Sequence, residues 1–400
     1  MNKKVKNFLS INNEDNLMIV LAFMSFSIGL WTNYRQLWLQ DIGYGIGEIS
    51  RILSVALICS AVISFIISIF STKVNIKSTI QLSNVIRSVS MILLLIVKDD
   101  FMIKMCMLLS IMCEVIFSIA YYPLLALINK SDETYRKKTL IDYISQDAGI
   151  IICGLLMGIT LGNYVFDYNT CLFLAIISNI ISGMVLTFLK TKSLIKKQKA
   201  ESLKHAIKTI FNSKIITYFL SEQLIVNISY GIVFGIIMLI LTDYINLEIS
   251  VASIFIIISN ALAVIVCSLF SKYGKNLSVN ASNIIKFGTR TVTYFIAAFS
   301  NNMTIYILTI SFGYISCRML DDKVTGTYLK RVNDNAQFLF GNMRYFVTSL
   351  GKGIGTFFAG ILLSYSLSSL FLGAAIVTLI QSIMLFDIER IRKKESIKNM

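Results

Sequence analysis

Ser68-Ile-Phe-Ser-Thr-Lys-Val-Asn-Ile-Lys77 is a short basic connection between two apolar runs, and about 200 residues later Cys267-Ser-Leu-Phe-Ser-Lys-Tyr-Gly-Lys275 repeats it in the same setting. The runs on either side, about 47–71 and 78–97 for the first copy and about 249–271 and 278–299 for the second, have the length that crosses a hydrocarbon core as an α-helix. A basic turn between two spanning helices, occurring twice, predicts a membrane protein made of two similar halves.

The rest of the chain extends this pattern. Further runs of spanning length fall at about 17–39, 102–129, 138–162 and 168–190 in the first part, and at about 215–242, 303–329, 336–362 and 366–387 in the second. The fold expected is therefore an all-α membrane protein with twelve transmembrane helices in two pseudo-symmetric six-helix halves, residues 1–190 and 215–400. Residues 191–214 form the cytoplasmic basic linker between them. Composition agrees: 56% of the 400 residues are hydrophobic and 15% charged, against about 25% charged in soluble domains. The basic N-terminal residues followed by a run from Leu17 resemble a signal peptide, but no small-residue cleavage site follows, so the run reads as the first span.

A net charge of +15 could suggest nucleic acid, and its distribution argues otherwise. Of the 37 Lys and Arg, 26 lie in connections, or at the span ends bordering them, on one side of this threading and only Lys98 and Lys104 on the other. By the positive-inside rule both termini are then cytoplasmic, in a multi-pass protein of the cell membrane. The seven cysteines lie inside apolar runs without paired spacing, and they point to neither a disulfide framework nor a zinc site. The lone histidine, His205, rules out a histidine metal cluster, and no phosphate-binding Gly-rich loop followed by Lys appears. No cofactor or metal is expected. An enzyme is not expected either, because no nucleophile and base stand at a persuasive spacing.

The repeated turn resembles the major facilitator superfamily of secondary transporters, whose corresponding turn reads G-x-L-A-D-R-x-G-R-R. Lys73, Lys77, Lys272, Gly274 and Lys275 fit it, whereas Thr72 and Ser271 stand where the family has Asp, and Ser68 and Cys267 where it has Gly. The resemblance implies that Lys73, Lys77, Lys272 and Lys275 are gating residues at the cytoplasmic side. Asp142 and Arg344, at equivalent places in the two halves, are candidates for a latch that replaces the missing Asp. A second likeness, to proton-coupled exporters of that family, is carried by Gly154, Gly158 and Gly162 in the fifth span. Close packing of two helices would explain that stripe equally well, as it would Gly351, Gly355 and Gly360 in the eleventh.

The resemblance also implies that helices one, four, seven and ten line a central cavity, and each of these four carries ionisable residues. Ionisable side chains in spans are costly and mark pathways or pairs. The first has Arg35, with Trp31 and Ser27 on broadly the same face, although Arg35 could also snorkel to the outer interface. The fourth has Glu114 and the lone Pro123, the seventh Glu222, and the tenth Arg318 with Asp321 and Asp322 at i+3 and i+4. That last cluster is either a neutralised structural pair or a proton site. Arg35, Glu114, Glu222, Arg318, Asp321 and Asp322 are thus the expected substrate and proton residues. Arg87, Asp147, Lys286, Arg290 and Lys352 read instead as packing or gating charges.

The function expected is secondary active transport by alternating access, with proton-coupled export of a small amphipathic or organic compound first. Proton-coupled uptake of a polar metabolite and a non-transporting receptor or scaffold are the alternatives. The partners are a small-molecule substrate, protons and membrane lipids, with no nucleic acid, and the chain is expected to act as a monomer.

Overall fold

The structure is a computed structural model that describes residues 13–70, 75–128, 132–157, 160–161, 164–189, 214–273, 287–318 and 334–398. Among them the helices are α1 (Asn13–Thr32), α2 (Tyr34–Asp41), α3 (Ile46–Phe70), α4 (Ile76–Ile96), α5 (Asp100–Ile128), α6 (Asp132–Leu156) and α7 (Tyr168–Thr187). The series continues with α8 (Lys214–Phe234), α9 (Ile237–Leu239) running into a π-helical turn at Ile240–Tyr244, α10 (Ile249–Tyr273), α11 (Thr289–Ala298), α12 (Met303–Arg318), α13 (Asp334–Tyr365) and α14 (Leu367–Lys398). Each of the twelve predicted windows contains a described helix. Among the described residues, seven spans are long and apolar enough to cross a membrane, or eight if the bent pair Leu220–Phe234 and Ile237–Tyr244 counts as one.

The clearest sign of a lipid solvent is α4. Its buried side comprises Ser83, Asn84, Arg87, Ser88 and Ser90 beside Ile80, Met91 and Leu94, while Leu82 and Val85 are 61% and 60% exposed. A helix with its polar stripe inside and its aliphatic stripe outside is inverted for water and ordinary for a bilayer. The chain is an integral membrane protein.

By packing, the chain divides into two compact units, residues 1–38 with 69–200 and residues 39–68 with 201–400. In the first, α1 packs on α6 and α7, and α4 packs on α5 and α7. Its apolar core gathers Leu17, Leu21 and Met24 of α1 with Phe117, Tyr121 and Leu125 of α5. In the second, α8 packs on α13 and α14, α11 on α14, and α10 on α12. There α3 lies along α13: a Cβ on Gly360 would meet Ser50, and one on Gly353 would meet Ile58 and Ser54.

The two units repeat their closest helix contacts at a constant spacing in the sequence. In the first, a Cβ on Gly29 of α1 would collide with the Gln146 carbonyl of α6, and one on Gly149 would come within 2.5 Å of the Phe26 carbonyl. In the second, Gly231 of α8 sits against the Lys352 carbonyl of α13, and a Cβ on Gly351 would lie 2.6 Å from the Leu224 carbonyl. Gly231 stands 202 positions after Gly29, and Gly351 stands 202 after Gly149. Buried polar residues keep the same register: Ser27 and Ser229, Asn179 and Gln381, and, one residue off, Arg87 and Arg290.

Three expectations need correction. The fifth span does not run as helix to residue 162: α6 stops at Leu156, and Thr160–Leu161 pairs antiparallel with Tyr164–Val165 in a small hairpin. The glycine stripe is therefore not a continuous helical face, and Gly158 and Gly162 lie outside the described residues. The seventh span is broken, bending by 41° between Phe234 and Ile237. Finally, Cys153 of α6 and Cys171 of α7 form a disulfide across that hairpin, with their Cα atoms 5.8 Å apart, where the sequence pointed to none.

Candidate functional site

Three buried or half-buried ionisable residues of the first unit, Arg35, Glu114 and Arg87, belong to one group near the junction of α1 and α2. The helix is interrupted at Asn33, one turn after Gly29, and the chain resumes with Tyr34, whose hydroxyl donates to the Ile150 carbonyl at 2.9 Å. This fixes Arg35, 8% exposed, so that its Nη1 lies 3.5 Å from Oε2 of Glu114 on α5. Trp31 is wholly buried one turn before it, its ring set edge-on to Trp38 with centroids 5.7 Å apart.

Arg87 of α4 belongs to the same group. It is 0% exposed, and its Nη1 lies 2.8 Å from Ser27 Oγ, 3.1 Å from Asn179 Oδ1 and 3.5 Å from Met24 Sδ. Asn179 is itself fixed, donating to the Asn84 carbonyl at 2.8 Å and to Ser88 Oγ at 2.7 Å. Ser27 donates to the Ala175 carbonyl, leaving its lone pairs for the guanidinium. Arg87 is within electrostatic range of both Arg35 and Glu114. The buried group therefore has two guanidiniums for one carboxylate. Several of its donors have no hydrogen-bond partner among the described residues: Nε of Arg35, Nε and Nη2 of Arg87, and Nε1 of Trp31.

In the second unit Glu222 of α8 is 4% exposed, and its carboxylate accepts from the amides of Gln381 at 3.1 Å and Gln223 at 3.5 Å. Arg290 of α11, fully buried, donates through Nε to the Tyr294 hydroxyl at 3.2 Å. Lys352 of α13 stands over the Tyr230 ring, 4.9 Å from its centroid. Arg318 is the last residue of α12, and Asp321 and Asp322 lie outside the described residues, so the predicted three-residue cluster is not described.

Of the predicted gating residues, Lys77 is the best defined. Its Nζ lies 3.1 Å from the Thr187 carbonyl and 2.6 Å from that of Leu189, so it caps the C-terminus of α7. The neighbouring Asn75 side chain caps the start of α4. Asp142 accepts from Ser25 at 2.5 Å and pairs with Lys138 at 3.0 Å. Arg344 lies on α13; Lys272 is in the last turn of α10 with its side chain undescribed, and Lys73 and Lys275 lie outside the described residues.

The structure thus brings Arg35 and Glu114 together as partners and adds Arg87, which the sequence had placed among the packing charges. The signal that could have found Arg87 is the constant register: Ser27, Arg87 and Asn179 all have polar counterparts about 202 positions on.

The chain is similar in structure to the nucleoside transporter NupG, with a TM-score of 0.65 at 14% identity over 94% of this chain and 99% of that one. It is also similar to a bacterial homologue of the human lysosomal transporter Spinster, solved inward-facing and unoccupied. The TM-score there is 0.70 at 10% identity over 98% of each chain. No family model and no curated protein matches the sequence. At these identities the likeness shows the fold alone, a fold shared with these two transporters.

Proposed function

We propose that this integral membrane protein, built on the major facilitator fold, is a secondary transporter whose two six-helix halves alternate access to a small organic substrate, coupled to protons. The observation that carries this reading is the buried pair of Arg35 and Glu114 with Arg87 beside it. Each charge held within a span costs at least about 2.5 kcal/mol, and a structural pair would satisfy its donors, whereas here several are unspent. Glu222, Arg318, Asp321 and Asp322 complete the proposed substrate and proton residues, and both termini are cytoplasmic.

The described charges favour uptake over export. Export by proton exchange needs proton and substrate to compete for one carboxylate, which suits a cation. In a group with two guanidiniums and one carboxylate, protonating Glu114 releases Arg35, so proton and substrate bind together. That is the logic of symport. The test is purified protein in liposomes loaded with a pH-sensitive dye and offered a panel of organic anions, cations and neutral metabolites. Substrate-dependent lumen acidification supports symport, lumen alkalinisation supports exchange, and proton movement with none of them contradicts the transport reading.

A further inference from the structure

We propose that the Arg35–Arg87–Glu114 group binds the anionic group of the transported molecule, a carboxylate or a phosphate ester, with Glu114 as the built-in counter-ion that the ligand replaces. The inference deepens the transport reading and rests on it for the word transported; the binding itself does not depend on it.

Three observations carry it. The first is charge: Arg87 has no carboxylate partner among the described residues, its contacts being a hydroxyl, an amide oxygen and a thioether, and Arg35 shares its single acid at 3.5 Å. A group of net charge +1, with one guanidinium 0% and the other 8% exposed, is disfavoured in a low-dielectric interior until a negative charge joins it. The second is hydrogen bonding. Nε of Arg35, Nε and Nη2 of Arg87 and Nε1 of Trp31 are all donors, all buried, and all without a partner among the described residues. A carboxylate or phosphate brings only acceptors, and guanidinium is the group that matches its paired oxygens. A cationic ligand would find one carboxylate already engaged and no relief for these donors. The third is support. Ser27 and Asn179 hold one nitrogen of Arg87, and Asn179 is held in turn by α4, so the guanidinium is fixed before any ligand arrives.

The aromatic residues next to Arg35 in the chain indicate the rest of the ligand. Trp31, Tyr34 and Trp38 are all buried, and the Trp31 and Trp38 rings pair with each other. An organic anion with an apolar or ring body fits this better than a bare inorganic ion does. Since the chain has two tryptophans and both are here, its tryptophan emission reports on this site alone.

The experiment uses the purified full chain in zwitterionic nanodiscs, titrated with benzoate, phenyl phosphate, benzamide and benzylamine while tryptophan emission is followed. These probes share one ring and differ in charge. At least one of the two anions is expected to change the emission saturably, and benzamide and benzylamine are not. Arg87→Gln and Arg35→Gln should weaken that binding at least about tenfold, with Arg87→Lys retaining more of it than Arg87→Gln. Glu114→Gln is expected to tighten it several-fold, since the competing carboxylate is gone. Variants are compared only where size-exclusion elution matches the parent, and the parent's own discrimination between the two anions and benzylamine keeps the proposal falsifiable if the variants do not fold. Saturable binding of benzylamine, loss of anion binding in Glu114→Gln, or no response to either anion overturns the proposal. So does an emission change of the same size when phosphatidylglycerol replaces the zwitterionic lipid, because the ligand would then be a lipid headgroup. Anion binding without proton movement in liposomes would leave this inference standing and remove the transport reading. Proton movement with benzylamine would do the reverse.

Discussion

Gly29 and Gly149 bring α1 and α6 together backbone against backbone: a Cβ on Gly149 would lie 2.5 Å from the Phe26 carbonyl and 2.8 Å from the Leu30 amide. The obstacle is main chain, which cannot rotate away. Gly149→Val is therefore expected to cost about 1–3 kcal/mol, seen as a lower Tm in detergent. Gly45→Ala, where nothing lies within 4 Å, is the control and should move Tm little. Equal effects would contradict the close contact. Because this contact positions the end of α1 with Trp31, and through it the start of α2 with Arg35, anion binding should weaken along with stability.

The disulfide between Cys153 and Cys171 gives a second stability prediction. It closes a segment of 18 residues that contains the hairpin, and restricting the unfolded state over such a loop is worth about 3 kcal/mol. Cys153→Ser with Cys171→Ser should lower Tm by several degrees. Both cysteines are buried, so reductant should act slowly on the folded protein. Mass spectrometry after alkylation without reduction checks the bond itself: labelling of both residues would contradict it.

Lys77 links the start of α4 to the end of α7 through two carbonyls, an interaction of about 0.3–1 kcal/mol at a helix C-terminus. It lies at the start of α4, almost three turns of helix from Arg87. Lys77→Gln is therefore expected to slow transport while leaving the emission titration unchanged. A large loss of anion affinity with normal turnover would remove Lys77 from the gating set.

Much of this architecture was legible in the chain, because hydropathy reads the solvent directly. The fold class needed only runs of the right length, and Arg35 and Glu114 stood out as charges inside them. What sequence does not carry is which helix faces which. Depth along a span put Arg35 in the outer third and Glu114 near the middle, and nothing local could say that they meet, 79 positions apart. Arg87 is hard to place for the same reason, although Ser83, Asn84, Ser88 and Ser90 around it on α4 form a polar stripe. The break near Gly235 has no proline to announce it, and there the close approach of Thr356 and the Gly231 backbone decides the geometry. The disulfide was hidden because its two cysteines lie in separate apolar runs and only the hairpin brings them together.

The orientation rests on the 26-to-2 division of basic residues between the two sides. His205→Cys, in a variant whose native cysteines are replaced, is expected to stay unlabelled when intact cells meet an impermeant thiol reagent and to label after lysis. Labelling from outside would reverse the topology, and would place the hairpin and its disulfide on the cytoplasmic, reducing side, where such bonds rarely persist.

The central claim is that Glu114 couples a proton to a bound anion, and lumen pH in liposomes tests it most directly. With the tighter-binding, poorly permeant anion added outside, the parent protein is expected to acidify the lumen as the anion enters. Glu114→Gln is expected to bind the anion at least as well yet lose both the acidification and accumulation driven by a pH gradient. If Glu114→Gln still concentrates the anion with the parent's proton movement, Glu114 is not the coupling residue and the account fails at its centre.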